Sequence, residues 1–348
     1  MTVLALALDA MGGDHAPDMV VRGASIAQQR FPQVRFLLFG DSARLKPLLD
    51  KMPALREVCS IHHADQVVRS DEKPSQALRS GRGSSMRLAI NAVHDGSAAA
   101  VVSAGNTGAL MAMAKFVLKT MPGVDRPAMA SFFPTLRGES VMLDLGANVQ
   151  CDANNLVQFA IMGNVFARTV LGTLHPSIGI LNVGTEDQKG HEYLREAAGI
   201  LRAMPLPGRF HGFIEGDDIA KGTVDVVVSD GFTGNVALKT LEGTAKLYAN
   251  FLRETFRSSF LARLGYLLAR PALNTLRVRT DPRRYNGAIF LGLNGVAVKS
   301  HGGTDALGFA NAIGVAVDML LHHSLDKIRE DFAKLTEQPA INPQAVGV

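Results

Sequence analysis

Two polar side chains in separate parts of the sequence have the chemistry and the placement of catalytic groups. His15 follows the first apolar run of the chain, where a histidine can act as a general acid or base. Lys189 falls in the predicted first turn of a helix, where a cation opposes the helix dipole unless it serves a ligand. The alternatives are a structural or solvated histidine and a solvated lysine.

Glycine-rich loops that lead into predicted helices are the second chemical feature. Their backbone N–H groups and the positive end of the helix dipole together bind anions such as phosphate. The strongest candidates are Ser103–Gly108 and Asp230–Asn235. A glycine that only turns the chain is the more common explanation for one such loop, but several loops together favour a phosphate-bearing ligand. The predicted phosphate or substrate contacts are Asp9, Gly12, Gly13, Ser103, Gly105, Asn106, Thr107, Asn148, Gly184, Thr185, Asp230, Thr233 and Gly234.

Several well-known catalytic motifs are missing from the sequence. It has no G-x-x-x-x-G-K-[ST] loop, and Met11-Gly12-Gly13-Asp14 stands where a dinucleotide enzyme has G-x-G-x-x-G. It also lacks the G-x-S-x-G and H-E-x-x-H motifs of serine hydrolases and zinc proteases. Cys59 and Cys151 lie far apart, which predicts neither a disulfide framework nor a thiolate metal site and fits a reducing cytoplasm.

The elements that must position these loops follow one repeated pattern. A short apolar run precedes each polar loop, and a segment with helical periodicity follows it. The runs are Val3–Leu8, Ala99–Val102, Val141–Leu145, Ile178–Val183 and Val224–Val228. This pattern predicts a three-layer α/β/α sandwich around a mostly parallel sheet, with all five loops at one edge. We expect one large domain over residues 1–335 and a loose tail at 338–348.

Positive charge is concentrated in one segment. The net charge is +4, and Arg253–Arg284 holds eight arginines against two acidic residues. Apolar residues recur there at helical spacing, which predicts a basic amphipathic helical segment at about 247–284, with Pro271 ending its first helix. The predicted contacts with a membrane or a carrier protein are Arg257, Arg263, Leu264, Leu267, Leu268 and Arg270. The alternative is a core-facing or dimer-facing helix.

Several of these loops, taken in order, resemble the phosphate acyltransferase (PlsX) family. The N-terminal segment Ala7–Pro17, with Leu-Asp-Ala-Met-Gly-Gly-Asp-His at its centre, is similar to the signature of that family. The further matching segments are Arg82–Met86, Val102–Ala109, Leu143–Asn148, Asn182–Glu186 and Ser229–Asn235. Each segment alone is weak, but the set spans residues 1–325 in the order of the family and is specific.

The resemblance implies a fold related to isopropylmalate dehydrogenases and phosphotransacetylases, a homodimer, and no metal or nicotinamide cofactor. It implies that an acyl group passes from acyl carrier protein to inorganic phosphate, giving acyl phosphate for the acylation of glycerol 3-phosphate in phospholipid synthesis. His15, Lys189 and Asn235 match the active-site positions of the family. Lys189 and loop amides would hold phosphate, Asn235 would donate to phosphate or the oxyanion, and His15 would move a proton.

Partners and location follow from the same expectation. We expect acyl carrier protein, phosphate, a second copy of the chain, an anionic membrane surface and a downstream glycerol-3-phosphate acyltransferase as partners, and no nucleic acid. The protein would be cytoplasmic and peripherally attached to the membrane. Two alternatives stay open at this point: a metal- and NAD-dependent decarboxylating dehydrogenase, and a non-catalytic protein that senses lipid or nucleotide.

Overall fold

A single mixed sheet of eleven strands forms the centre of the molecule. The computed structural model describes residues 4–336. The strands are β1 (Leu4–Asp9), β2 (Val34–Gly40), β3 (Cys59–His63), β4 (Ala100–Ser103), β5 (Ala128–Thr135), β6 (Gly138–Leu143), β7 (Ser177–Leu181), β8 (Arg209–Ile214), β9 (Val226–Val228), β10 (Ala288–Leu291) and β11 (Val296–Lys299). Their order across the sheet is β3-β2-β1-β4-β11-β10-β5-β6-β9-β7-β8.

Helices cover both faces of this sheet. They are α1 (Asp18–Arg30), α2 (Ser42–Leu49), α3 (Pro53–Arg56), α4 (Pro74–Ser80), α5 (Ser85–His94), α6 (Thr107–Leu118), α7 (Ala153–Phe166), α8 (Glu192–Ala203), α9 (Gly216–Lys221), α10 (Gly231–Arg257), α11 (Phe260–Arg279), α12 (Ala306–Leu321) and α13 (Ser324–Thr336). Successive residues of β1 show the layering, because Leu6 and Leu8 belong to one buried apolar cluster and Ala7 to another. The predicted α/β/α sandwich is confirmed.

The direction of the strands corrects one prediction. Strands β3, β2, β1, β4 and β11 are mutually parallel, and so are β6, β9, β7 and β8. Between them, β10 and β5 pair antiparallel with each other and with β11 and β6 respectively. The two parallel halves therefore run in opposite directions. The carboxyl ends of β1 and β4 do not share an edge with those of β6 and β9, and the prediction of one common edge is wrong.

A hairpin causes this reversal. Strands β5 and β6 are joined by Leu136 and Arg137 alone, since Thr135 pairs with Gly138. Gly138 has a φ of 133°, which L side chains rarely adopt. A two-residue connection forces antiparallel pairing, whereas parallel neighbours need a long crossover.

The predicted tail at 338–348 lies outside the described residues. The single domain over residues 1–335 stays a prediction. No single helix within residues 4–336 is both long and apolar enough to cross a membrane; only the bent pair α12–α13 meets the two criteria together.

Helices α10 and α11 form an arm beside the sandwich, which we call the α10–α11 arm (residues 247–279). The predicted amphipathic segment is helical, but α10 ends at Arg257 and α11 begins at Phe260. Pro271 lies inside α11, so the prediction that it ends the helix is wrong. Proline removes one backbone hydrogen bond, and the turns on either side continue the helix here. All six residues predicted as membrane or carrier contacts are exposed.

Candidate active site

A buried carboxylate organises the loops at the ends of β1 and β4. Asp9 is 1% exposed, and its carboxylate accepts hydrogen bonds from the hydroxyls of Ser85 and Ser103, each at 2.6 Å. Its burial raises its pKa, and these hydrogen bonds oppose the shift. A Cβ on Gly12 would lie 2.5 Å from Asp9 Oδ2 and 2.7 Å from the amide nitrogen of Gly105, so only glycine lets the two loops meet. We call these five residues the Asp9 group.

Cations lie beside the Asp9 group. Lys299 ends β11 opposite Ser103 in the register and is only 8% exposed. Burial lowers the pKa of Lys299 to about 8; the carboxylate of Asp9 opposes this shift, and Lys239 adds to it. The pKa of His301 is lowered by burial and then by Lys239. Lys299 and Lys239 therefore offer positive charge to an anion at this end of the sheet, and His301 adds little.

A second buried carboxylate organises the loops at the ends of β6 and β9. Asp144 is fully buried and accepts hydrogen bonds from the backbone amides of Met129 at 2.9 Å, Ala147 at 3.1 Å and Asn148 at 2.6 Å. The side-chain amide of Asn148 donates to it as well, at 2.9 Å. Burial raises the pKa of Asp144. A Cβ on Gly234 would overlap the carbonyl oxygen of Asp144, so this glycine lets α10 begin directly against the loop. We call these five residues the Asp144 group.

The start of α10 adds a polar cluster next to the Asp144 group. Asp230 caps the helix by accepting from the Thr233 amide at 2.8 Å, and it also accepts from the Tyr193 hydroxyl at 3.1 Å. Burial, followed by the charge of Asp230, raises the pKa of Tyr193 to about 12. A cavity of about 320 Å³ opens here, lined by Val149, Gln150, Cys151, His191, Tyr193, Asp230, Phe232 and Thr233.

Helix α10 connects the two groups. Its N-cap is Asp230, and Lys239 lies nine residues further along, which corresponds to about 14 Å of helix. Lys239 interacts electrostatically with Lys299 and His301 of the first half. The first turns of α10 therefore run from the Asp144 group toward the cations beside the Asp9 group.

The three predicted catalytic residues divide between these halves. His15 is exposed in the loop after β1, and Asn235 is exposed on α10 beside Gly146. Lys189 is exposed in the loop after β7, with its Nζ 3.9 Å from Glu186 Oε1. Because α8 begins only at Glu192, the prediction that Lys189 lies in the first turn of a helix is wrong. A loop that ends in Gly190, with a φ of 82°, delays the helix.

Several predicted binding residues hold the loops through their side chains. Ser103 donates to Asp9, and Asn148 donates to the Pro127 carbonyl at 2.7 Å as well as to Asp144. Asn106 caps α6 and donates to the carbonyls of Ser70 and Glu72, each at 2.9 Å. These side chains fix the backbone at the starts of the helices.

The two serines of the Asp9 group and the two half-buried cysteines of the chain are poor nucleophiles. Ser85 and Ser103 both donate to Asp9 and are 1% and 0% exposed, so neither hydroxyl is open to a substrate. Burial raises the pKa of Cys151 to about 12, and that of Cys59 to about 12 as well. A thiol with such a pKa stays protonated near neutral pH. A nucleophile that arrives with the substrate fits this site better than any of these four side chains.

Comparisons with known proteins agree with this geometry. A family model described as fatty acid synthesis protein matches residues 4–326. A phosphate acyltransferase of Rhodospirillum centenum is 68% identical over 98% of this chain and 97% of its own length. One from Paramagnetospirillum magneticum is 63% identical over 95% of this chain and 94% of its own length. The chain belongs to the phosphate acyltransferase family. Membership of this family shows that the protein is an enzyme. It does not favour the two alternatives left open by the sequence, a metal- and NAD-dependent decarboxylating dehydrogenase and a non-catalytic sensor of lipid or nucleotide.

Solved structures with the same fold are more distant in sequence. A phosphotransacetylase from Streptococcus pyogenes has a TM-score of 0.61 at 17% identity, covering 91% of this chain and 94% of its own. A branched-chain phosphotransacylase from Enterococcus faecalis has a TM-score of 0.58 at 12% identity, covering 92% of this chain and 100% of its own. At such identities the likeness concerns the fold of this phosphate acyltransferase.

Sequence reasoning missed two contributors to the site. Lys299 follows the apolar run Val296–Val298 and precedes Ser300-His301-Gly302, the same arrangement of strand and polar loop that singled out the other candidates. That signal was available. Asp144 gave a weaker signal, because nothing in its local sequence indicates that four donors converge on one carboxylate.

Proposed function

We propose that this enzyme transfers a fatty acyl group from acyl carrier protein to inorganic phosphate. The observation that carries the proposal is the burial of Ser85 and Ser103 against Asp9, together with half-buried thiols that stay protonated near neutral pH. A protein nucleophile is therefore disfavoured, and phosphate itself can attack. Membership of the family supports phosphate as the acceptor, and the description of the family model supports a fatty acyl donor.

The chemical step needs no covalent enzyme intermediate. A phosphate oxygen attacks the thioester carbonyl and forms the new C–O bond; the tetrahedral oxyanion then collapses, the C–S bond breaks, and the thiol leaves with a proton. The tasks of the protein are to hold a dianion against the carbonyl and to stabilise the oxyanion. Acyl phosphate is the product, for use in glycerol-3-phosphate acylation.

We assign the individual roles as follows. Lys189 and loop amides hold phosphate, and Asn235 donates to phosphate or to the oxyanion from the first turns of α10. His15 moves a proton to or from phosphate or the leaving sulfur. Lys299 raises the positive potential at the Asp9 group. The exposure of His15, Lys189 and Asn235 supports these roles, because each side chain is open to a ligand.

The reaction is tested by incubating the pure protein with acylated carrier protein, with and without phosphate. We expect thiol release only with phosphate, accompanied by a new acyl phosphate signal in ³¹P NMR. Phosphate-independent thiol release with free fatty acid as the product would show a thioesterase instead. Retention of the thioester under all conditions would show that the protein only binds acyl chains.

We further propose that the α10–α11 arm attaches a cytoplasmic protein to anionic membrane. Leu264 is 47%, Leu267 60% and Leu268 78% exposed, and exposed arginines such as Arg263 and Arg270 flank them. Burying each leucine would contribute about 1.5–3 kcal/mol, and each arginine near an anionic surface about 1 kcal/mol. Reversible attachment would suit an enzyme that hands its product to a glycerol-3-phosphate acyltransferase.

The competing use of the arm is a homodimer interface, which the exposed leucines would also suit. Replacing Leu264, Leu267 and Leu268 by Asp should release the protein from anionic liposomes in flotation while turnover and molecular mass persist. Dissociation of a dimer by the same variant would assign the arm to the subunit interface. We expect the dimer itself to persist and to be detected by light scattering.

A further inference from the structure

A basic cavity lies on the outer side of the helical layer, across α5 from the Asp9 group. It has a volume of about 500 Å³ and is formed by α4, α5, α6 and the loop before α5; its lining is Leu78, Arg79, Arg82, Arg87, Asn91 and Phe116. We call it the arginine cavity. Helix α5 joins it to the site, since Ser85, two residues before Arg87, donates to Asp9.

The arginines of this cavity have no acidic partner. Within residues 4–336, neither Arg79, Arg82 nor Arg87 forms an ion pair with a carboxylate. Arg87 donates from Nε to Asn91 Oδ1 at 3.1 Å. Burial, and then the like charge of Arg82, lowers the pKa of Arg87. An anionic ligand would relieve this repulsion.

An exposed aromatic ring stands among these charges. Phe116 is 54% exposed; the guanidinium of Arg87 lies 5.2 Å and the ammonium of Lys119 4.9 Å from the centre of its ring. Aromatic residues and arginines are the side chains that most often dominate binding at protein interfaces. A small inorganic anion would use the charges and leave the ring exposed, whereas an acidic protein surface with an apolar residue would use both.

We propose that the arginine cavity docks the acyl carrier protein, with acidic side chains of the carrier on Arg79, Arg82 and Arg87 and an apolar side chain on Phe116. This inference rests on the proposed function, which supplies an acidic carrier as the acyl donor. Docking here places the carrier one helix away from the Asp9 group, and its flexible prosthetic arm would carry the thioester past α5. Complementary charge of this kind speeds association and selects the partner.

The test is a double charge reversal in the cavity. Arg79→Glu/Arg82→Glu should raise the KM for acylated carrier about tenfold or more at low salt, and the effect should shrink as salt rises. The kcat/KM for an acyl-pantetheine thioester without a protein part should stay within twofold of the parent. Lys46→Glu/Lys51→Glu makes the same change in net charge on the exposed surface at α2 and should leave the KM for the carrier within twofold.

Two milder variants keep the test independent of folding defects. Arg79→Gln/Arg82→Gln should give an intermediate rise in KM, and Phe116→Ala should raise the KM with a weaker dependence on salt. Melting curves that match the parent would confirm that all variants are folded.

Other results would overturn the docking site. If the KM for acylated carrier is unchanged in the cavity variant and rises in Arg263→Glu/Arg270→Glu, the carrier binds the α10–α11 arm instead. Loss of binding to anionic vesicles by the cavity variant, with no change in KM, would make the cavity a lipid contact. An equal fall in kcat/KM with the acylated carrier and with the acyl-pantetheine thioester would show that the arginines act on the reaction itself and not on carrier binding. If the parent releases thiol from neither thioester, the proposed function itself fails.

Discussion

The Asp9 and Asp144 groups have the same arrangement but different hydrogen-bond donors. Each places a buried carboxylate at the end of a strand and uses it to fix a glycine-rich turn into a helix. Asp9 is held mainly by two serine hydroxyls, which can rotate. Asp144 is held by three backbone amides and one side-chain amide, which cannot. Cations surround the first group, whereas an acid, an aromatic ring and a cavity adjoin the second. The first supplies charge, and the second supplies a rigid frame.

The largest expected effect comes from exchanging each carboxylate for its amide. Asp144→Asn turns one accepting oxygen into a donor that faces other donors, and buried polar groups left unpaired cost about 1–3 kcal/mol each. We expect Asp144→Asn to lower the free energy of unfolding by about 4 kcal/mol and Asp9→Asn by about 1 kcal/mol, since a serine hydroxyl can rotate to accept.

Urea denaturation at matched protein concentration measures this difference. The two variants are matched in volume, so packing changes little in either. Equal losses of stability would mean that the two groups are mechanically alike and that the contrast in donors has no consequence.

The next effect is on the rate. Lys189→Ala should reduce acyl phosphate formation about 10²–10³-fold without changing the fold, because a donor to developing charge is lost. Lys46→Ala, at another exposed lysine, is the control and should keep the activity of the parent. Turnover of Lys189→Ala within threefold of the parent would show that Lys189 does not take part in the reaction. The cations beside the Asp9 group would then be the candidates for holding phosphate.

The smallest of the three effects is a pH dependence of stability caused by Lys299, which lies beside the Asp9 group. The pKa of Lys299 is lowered from 10.5 to about 8, so between these values the unfolded chain holds a proton that the folded protein has lost. Stability therefore rises with pH across this window. The parent should gain up to about 3 kcal/mol relative to Lys299→Met between about pH 7 and pH 10.5.

Denaturation curves of the parent and of Lys299→Met over this pH range check the prediction, since other titrating groups cancel in the difference. A constant difference would show that Lys299 keeps its ordinary pKa. If the stability of the parent relative to Lys299→Met falls as pH rises, the predicted direction of the pH dependence is wrong.

The sequence predicted the layers of the fold better than the arrangement of the site. Apolar runs followed by polar loops located β1, β4, β6, β7 and β9 to within a few residues. The reversal of the two halves was not predictable from those runs, because it depends on how β5, β6 and β10 pair. Pairing between distant segments leaves no local periodicity.

The same limit explains what was missed around the site. The residues that line the arginine cavity come from three helices and one loop, so no local sequence pattern indicates the cavity. The loop of Lys189 resembled a helix start because Thr185 and Gln188 have the spacing of a helix cap, but Gly184 and Gly190 keep the chain out of the helix until Glu192. Local spacing was outweighed by backbone conformation.

A rapid-quench experiment can show whether phosphate is the only nucleophile. Enzyme and acylated carrier are mixed in comparable amounts without phosphate, and free thiol is followed from the first turnover. We expect no release until phosphate is added, and then acyl phosphate in equal amount to the thiol. A burst of thiol stoichiometric with enzyme before phosphate is added would reveal an acyl-enzyme and contradict direct attack by phosphate.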